Sequence, residues 1–361
     1  MSSPQAHSEQ ENSRPRFVPR GLATGIGSLP HTDAERAVQA VLARLPRCPF
    51  WPQLPRRSHL EGMTLQYVEG YPALRDRGGE ADPVVDTGDE GLVELGAFYE
   101  KVWAADPEPF ALSPERARGF YAFEEALVQS GGRTLEYVKG HVTGPVTLAS
   151  SLKDPTGREI LHEESFRDAV GALVAQKALW QVRRLRRFGV PVVIFLDEPV
   201  MEVFGSAYST LSRELVLALW APALEALREE GAFSGIHCCG NTDWGLLCES
   251  GADIVNFDAY HYLEKMLLYP ETVSRYLAEG GVLAWGIVPT TEEARTHTAA
   301  TLLEALDRGI ARFAQAGVDE GRLREGCMIT PSCGMGSLPV DLAEAILDLL
   351  AEVSEGFVVG C

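Results

Sequence analysis

Short apolar runs ending in glycine, proline or an acidic residue alternate with longer stretches of helical period from Arg20 to the end of the chain. This order constrains the fold more than any other feature, because strand, helix and strand in repetition build a parallel sheet with helices on its outer face. Seven strands are predicted, at 21–28, 135–142, 191–196, 235–239, 253–257, 282–287 and 328–330. One more would close an eight-stranded barrel. It is expected near 50–54 or 63–68, where Pro52 and Pro55 obscure the pattern. The helices are plainer. Phe166, Val170, Val174, Ala178, Val182 and Leu185 recur at helical spacing, with Gly189 placed as a C-cap. Other helices are expected to start at Ser113-Pro114 and at Thr290, the latter with Glu293 completing a capping box. Leu342, Ile346, Leu349, Leu350 and Val353 mark a last helix.

The 361 residues could hold two or three small domains or one large barrel, and no long linker or short-period repeat divides them. The expected fold is therefore α/β, a single TIM (β/α)8 barrel over residues 18–361 behind a disordered tail at 1–17. Residues 71–112 are rich in Pro, Asp and Glu and weakly periodic, too long for an ordinary βα connection. They are expected to form an insertion after the second strand region, as a lid or a docking surface.

Acidic residues outnumber basic ones 51 to 32, a formal charge of −19 that repels nucleic acid and anionic membranes; neither is an expected partner. The seven cysteines are odd in number, sparse, and include the adjacent pair Cys238 and Cys239, unlike a secreted disulfide framework. The first 18 residues contain no apolar core for a signal peptide, and no later apolar run is long enough to span a bilayer. A cytoplasmic location is expected.

The most specific chemical signal is Ile236-His237-Cys238-Cys239-Gly240-Asn241-Thr242-Asp243. Alternate side chains of a strand share a face, so His237 and Cys239 converge while Cys238 points away. Imidazole and thiolate together suit zinc rather than magnesium. Further ligands are expected at other strand ends, where Asp258 follows one strand and Cys333 another, giving His237, Cys239 and Cys333 with Asp258 as an exchangeable oxygen. Cys48, Cys238, Cys248, Cys327 and Cys361 remain as packing or surface residues. Asp197 and Glu198 end the apolar strand 192–196, where burying a carboxylate is costly unless it meets a cation. Tyr260 and His261, just beyond Asp258, are read as loop packing rather than proton donors, while His31 and His141 lie at predicted strand ends and are candidates for contact with substrate or donor.

Taken in order, Thr24-Gly25-Ile26-Gly27-Ser28-Leu29-Pro30, Thr143-Gly144-Pro145-Val146-Thr147, Asp197-Glu198-Pro199 and the His237, Cys239 and Cys333 set resemble the C-terminal catalytic barrel of the cobalamin-independent methionine synthase family over about residues 20–355. His237 to Asp258 is also similar to the zinc segment of corrinoid-dependent methyltransferases in the uroporphyrinogen decarboxylase-like superfamily. The resemblance implies a zinc-dependent S-methyltransferase that methylates a zinc-activated thiol, homocysteine giving methionine. It implies that Ile26, Gly27 and Ser28 hold the amino acid, that Asp197 and Glu61 bind its ammonium group, and that Glu198 is a structural partner. The family has two barrels, a stacking Trp after Gly-Pro-Val-Thr and a catalytic His in an Asp-x-His-Ser segment. This chain has one barrel, Leu148-Ala149-Ser150-Ser151-Leu152, and Gly286-Ile287-Val288-Pro289-Thr290-Thr291 at those places. A corrinoid donor, on a separate protein, is therefore favoured over methyl-folate. The alternatives are a corrinoid-dependent enzyme acting on another thiol or thioether, and a non-catalytic zinc-binding subunit.

Overall fold

The computed structural model describes residues 16–78, 82–132, 134–207 and 209–359. Among them are nine strands: β1 (Leu22–Ala23), β2 (Leu74–Arg75), β3 (Val84–Val85), β4 (Val138–Thr143), β5 (Val192–Asp197), β6 (Phe233–Cys238), β7 (Ile254–Phe257), β8 (Val282–Val288) and β9 (Cys327–Pro331). Seven form one curled parallel sheet in the order β1-β9-β8-β7-β6-β5-β4, and β2 and β3 make a separate antiparallel pair. Each of the seven overlaps a strand expected from the sequence.

The closed eight-stranded ladder is not formed. Between the two edges of the sheet lies the segment 49–53, which bridges Phe50 to Lys139 on one side and Gln53 to Ser28 on the other. Gln53 N donates to Gly27 O at 3.0 Å, Leu29 N to Gln53 O at 2.9 Å, and Lys139 N to Pro49 O at 2.9 Å. Pro49 and Pro52 have no N–H to give, so the segment makes single bridges where a regular strand would make a ladder. The other expected position, 63–68, is a series of turns.

Strand alternation divides the apolar side chains into two sets. Ile194, Leu196, Ile236, Val255, Phe257, Leu283, Trp285 and Ile329 belong to the cluster between sheet and helices. Val193, Phe195, Phe233, Ile254, Val282, Ala284 and Met328 form a second cluster on the opposite, concave face. The concave face is thus plugged by hydrocarbon along the first part of each strand, and its polar residues come at the strand ends. Phe17, expected in the tail, belongs to this plug, buried edge-on against Tyr137 with ring centroids 4.7 Å apart. Ordered packing therefore starts at or before Phe17, and residues 1–15 lie outside the described residues.

The long helix Glu164–Leu185 matches its apolar spacing, and Gly189 closes it at φ +75° after a 3-10 turn. The last helix is Val340–Val359. Two helix starts differ from expectation. Ser113 begins only a turn and the helix proper is Arg118–Ser130. Thr291, not Thr290, caps a 3-10 turn at Glu292–Thr296, while the reciprocal capping box is Thr298 with Thr301, at the start of Ala299–Gln315. In the threonine-rich run a hydroxyl was available at each candidate position, so composition could not choose among them. Residues 71–112 contain the β2–β3 pair and the helix Asp89–Trp103, whose Leu95 and Phe98 are buried. None of the described residues of this segment lines the cavity described below.

Candidate metal centre

Three strand ends meet on the concave side. β5 ends in Asp197, β6 carries His237 and is followed by Cys239, and β9 is followed by Cys333. The ligand atoms of His237, Cys239 and Cys333 all lie within 4.8 Å of one another, the one such group of three among the described residues. Cys238 faces the other way as strand geometry requires, and its Sγ donates to Gly240 O at 3.6 Å. The cluster opens into a cavity of about 500 Å³ that Ile26, Ser28, Asp197 and Arg56 also line.

A buried hydrogen-bond chain fixes the histidine. Asn256 Nδ2 donates to Ala284 O at 2.9 Å and to Thr330 Oγ1 at 2.8 Å. The carbonyl can only accept, so the amide orientation is set and Oδ1 must face His237 Nδ1 at 2.5 Å. Nδ1 therefore carries a proton, which leaves Nε2 as the nitrogen with a lone pair for a cation. The thiols divide their proton unequally. Cys239 is held well below the usual thiol range, first by the Cys333 thiol donating to it and then by His237, and the same bond pushes Cys333 up. His237 is raised overall: burial opposes its charge, but Cys239 and Asp197 outweigh that. An imidazole and two thiols, with one thiol already biased toward thiolate, fit a borderline-soft divalent ion.

Because Asn256 makes the histidine a donor-ready ligand, Asn256→Leu should weaken zinc binding by about ten- to a hundredfold, read by competition with a chromogenic chelator. Unchanged affinity in a folded variant would remove Asn256 from the site.

Asp197 is 8% exposed, and its Oδ1 is buried with no hydrogen-bond partner. Burial pushes its pKa up to about 6 against the pull of His237 and Lys139. Lys139, fully buried, donates to Ile26 O at 2.5 Å and lies 4.3 Å from the Phe195 ring centroid. Glu198 has a different task. Oε1 accepts from Val146 N at 3.0 Å and from Trp220 Nε1 at 2.8 Å, and Oε2 accepts from Thr147 N at 2.8 Å. These donors fill both oxygens and tie the end of β5 to the start of the helix Pro145–Ser151. A Cβ on Gly144 would lie 2.2 Å from the Glu198 carboxyl carbon, so only glycine leaves room for it.

Other expected site residues are placed differently. Asp258 does not join the cluster. Its Oδ1 caps the following helix at His261 N, 2.9 Å away, and its Oδ2 meets His261 Nδ1 at 2.7 Å. An acidic residue between a strand and a helix start is drawn to the free N–H groups there. Glu61 is fully buried, with Oε1 accepting from Arg57 at 2.7 Å and Arg118 N at 2.8 Å, and it does not line the cavity. Its Oε2 is without a partner. Gly27 is small for an internal reason, since a Cβ there would lie 2.8 Å from the His141 ring. Ser28 lines the cavity, and its Oγ accepts from Gly336 N at 3.1 Å, fastening the loop that carries Cys333. His31 pairs with Glu344 at 3.1 Å, His141 stacks on Trp51, and Tyr260 bonds to His297 at 2.8 Å; none of the three lines the cavity. Cys48, Cys248 and Cys327 are buried, and Cys361 lies outside the described residues.

Sequence reasoning missed Asn256, Arg56 and Lys139. A signal existed for the first, a lone amide in the buried run Ile254-Val255-Asn256-Phe257, where an unsatisfied polar group would be costly. Arg56 has no such mark.

No family model matches the chain, and no curated protein matches it. Among solved structures, a B12-independent methionine synthase from Shewanella sp. W3-18-1 in complex with selenomethionine is similar at 19% identity over 60% of this chain, with a TM-score of 0.43. The aligned part is 61% of that chain's length. A GH20 β-N-acetylhexosaminidase from Streptomyces coelicolor A3(2) is similar at 12% identity over 94% of this chain and 65% of that one, TM-score 0.44. A glycoside hydrolase family 20 β-N-acetylglucosaminidase is similar at 12% identity over 94% and 70%, TM-score 0.45. These likenesses point to different chemistries and carry no argument for either.

Proposed function

We propose that this chain is a zinc-dependent S-methyltransferase of the methionine synthase type, acting on a thiol such as homocysteine. The observation that carries the reading is the convergence of His237, Cys239 and Cys333 on a cavity that also holds the unpartnered oxygen of Asp197. A structural zinc site uses four protein ligands, whereas three with an open fourth position is the arrangement of a reactive one. Three protein donors are brought together here, and Asp258 is engaged elsewhere, which favours an enzyme over a non-catalytic zinc subunit. Zinc held by these residues would bind the sulfur of an incoming thiol and lower its pKa, so that the proton is lost to water and the thiolate is nucleophilic at neutral pH.

The residues supply the rest. Asp197 is buried with a free oxygen and accepts the substrate ammonium, a cation that its desolvated carboxylate lacks on that side. Lys139 steadies the Ile26 carbonyl, and Ser28 holds the loop of Cys333, so the thiol and its carrier are positioned from two sides. Asn256 keeps the histidine nitrogen turned inward. The chemistry is a transfer of a methyl group to sulfur, with the donor leaving on the bonding pair. No Phe, Tyr or Trp lines the cavity among the described residues, so a pterin would find no stacking ring there. This supports a corrinoid donor over methyl-folate. A reducing, cytoplasmic setting suits a site that works through the thiols of Cys239 and Cys333.

A direct comparison tests the donor. With zinc-loaded protein and homocysteine, methylcobalamin should outpace polyglutamyl methyl-folate at equal concentration. A faster folate reaction would reverse the donor assignment and leave the thiol half standing.

A further inference from the structure

Two charged side chains line the cavity besides the His/Cys/Cys cluster. One is Asp197, buried at the end of β5; the other is Arg56, exposed on the loop after the bridging segment 49–53. The chain carries a formal charge of −19, and its arginines are mostly taken by acids, as neighbouring Arg57 is by Glu61 at 2.7 Å. Arg56 has no acidic partner in hydrogen-bond or ion-pair range among the described residues. Its guanidinium instead donates to Ser337 O, on the loop that follows Cys333. That bond uses one of the two Nη2 hydrogens and ties the guanidinium to the cavity wall, so the other Nη2 hydrogen, paired with Nη1 or with Nε, is left as a two-donor edge for another acceptor. A guanidinium fixed in this way, with two donors side by side, matches a carboxylate bidentately, which an ammonium or an amide does not.

We infer that Arg56 is the anion-recognition residue of this cavity and takes the carboxylate of the thiol substrate. The inference rests on the proposed function and narrows its substrate to thiols that carry a carboxylate. Asp197 and Arg56 offer opposite charges to one ligand beside the sulfur-binding cluster, so an amino-acid thiol satisfies all three. A thiol lacking the acid leaves Arg56 unused.

Equilibrium binding to zinc-loaded protein, read by calorimetry under reducing conditions, tests this with L-homocysteine and with 3-aminopropane-1-thiol, which keeps the ammonium and lacks the carboxylate. Arg56→Gln should weaken homocysteine about ten- to a hundredfold and leave 3-aminopropane-1-thiol within about twofold, and Arg56→Lys should recover part of the loss. Equal losses with both thiols would make Arg56 a strap for the Ser337 loop and overturn the inference. Unchanged homocysteine affinity would overturn it too, while leaving the methyltransferase reading intact. So would an Arg56→Gln defect that appears only in the affinity for methylcobalamin, since the anion would then belong to the donor. If neither thiol binds wild-type protein, the amino-acid-thiol reading fails and Arg56's assigned ligand fails with it.

Discussion

Cys239→Ser and Cys333→Ser should each purify with less than a tenth of the zinc of the wild type, against about one ion per chain before substitution. Structural zinc in zinc-finger peptides is held by about 10–16 kcal/mol spread over four ligands, so a single ligand carries a large share, and a serine hydroxyl stays protonated where a thiol ionises. Each substitution removes one of three protein ligands, so the loss should be near complete rather than graded. Cys238→Ser and Cys248→Ser are the controls. Cys238 sits next to a ligand in sequence but faces Gly240 O, and Cys248 is buried at the end of the short helix Trp244–Cys248, outside the group of converging ligand atoms. Both should keep their zinc. Full zinc in the first pair would dismiss the site, and loss in all four would point to general unfolding.

The second large effect concerns Asp197. Asp197→Asn should weaken homocysteine use by about 1.5–3 kcal/mol, the worth of a charge-assisted hydrogen bond, and by more where water is excluded. The change should be selective. Mercaptoethanesulfonate has no ammonium group and should react at nearly the wild-type rate, while zinc content stays constant because Asp197 is outside the ligand cluster. An equal fall with both thiols would show that Asp197 supports the metal or the fold, and the neighbouring His237 and Lys139 make that outcome physically meaningful. An unchanged homocysteine rate would leave the orphaned oxygen without a role in substrate binding.

The strands were legible because each is a short apolar run between breakers, and all seven predicted ones pair in the sheet. The place where the sequence misleads is 49–55, where prolines remove the donors that make a strand recognisable and also prevent it from pairing as one. In the site, His237 and Cys239 could be paired from strand period alone, and Cys333 from its position after a strand. Asp258 could not be judged that way, because the same position after a strand serves equally as a helix cap, and the nearby N–H of His261 takes the carboxylate. Glu61 fails for a related reason: Arg57, four residues earlier, claims it. Asn256 stands out in the sequence as a lone amide in a buried run, but the task it performs there and the place of Arg56 become visible only when distant strands and loops are brought side by side, Asn256 through Thr330 and Arg56 through Ser337.

The most direct measurement compares one preparation with and without its metal. Protein stripped by chelation and verified as zinc-free, and the same protein reloaded with one zinc per chain, are each given homocysteine and methylcobalamin, and methionine is quantified. Methionine should form only from the reloaded protein, in proportion to zinc bound up to one equivalent. Equal methionine from the stripped protein, or none from the fully loaded one, would contradict it.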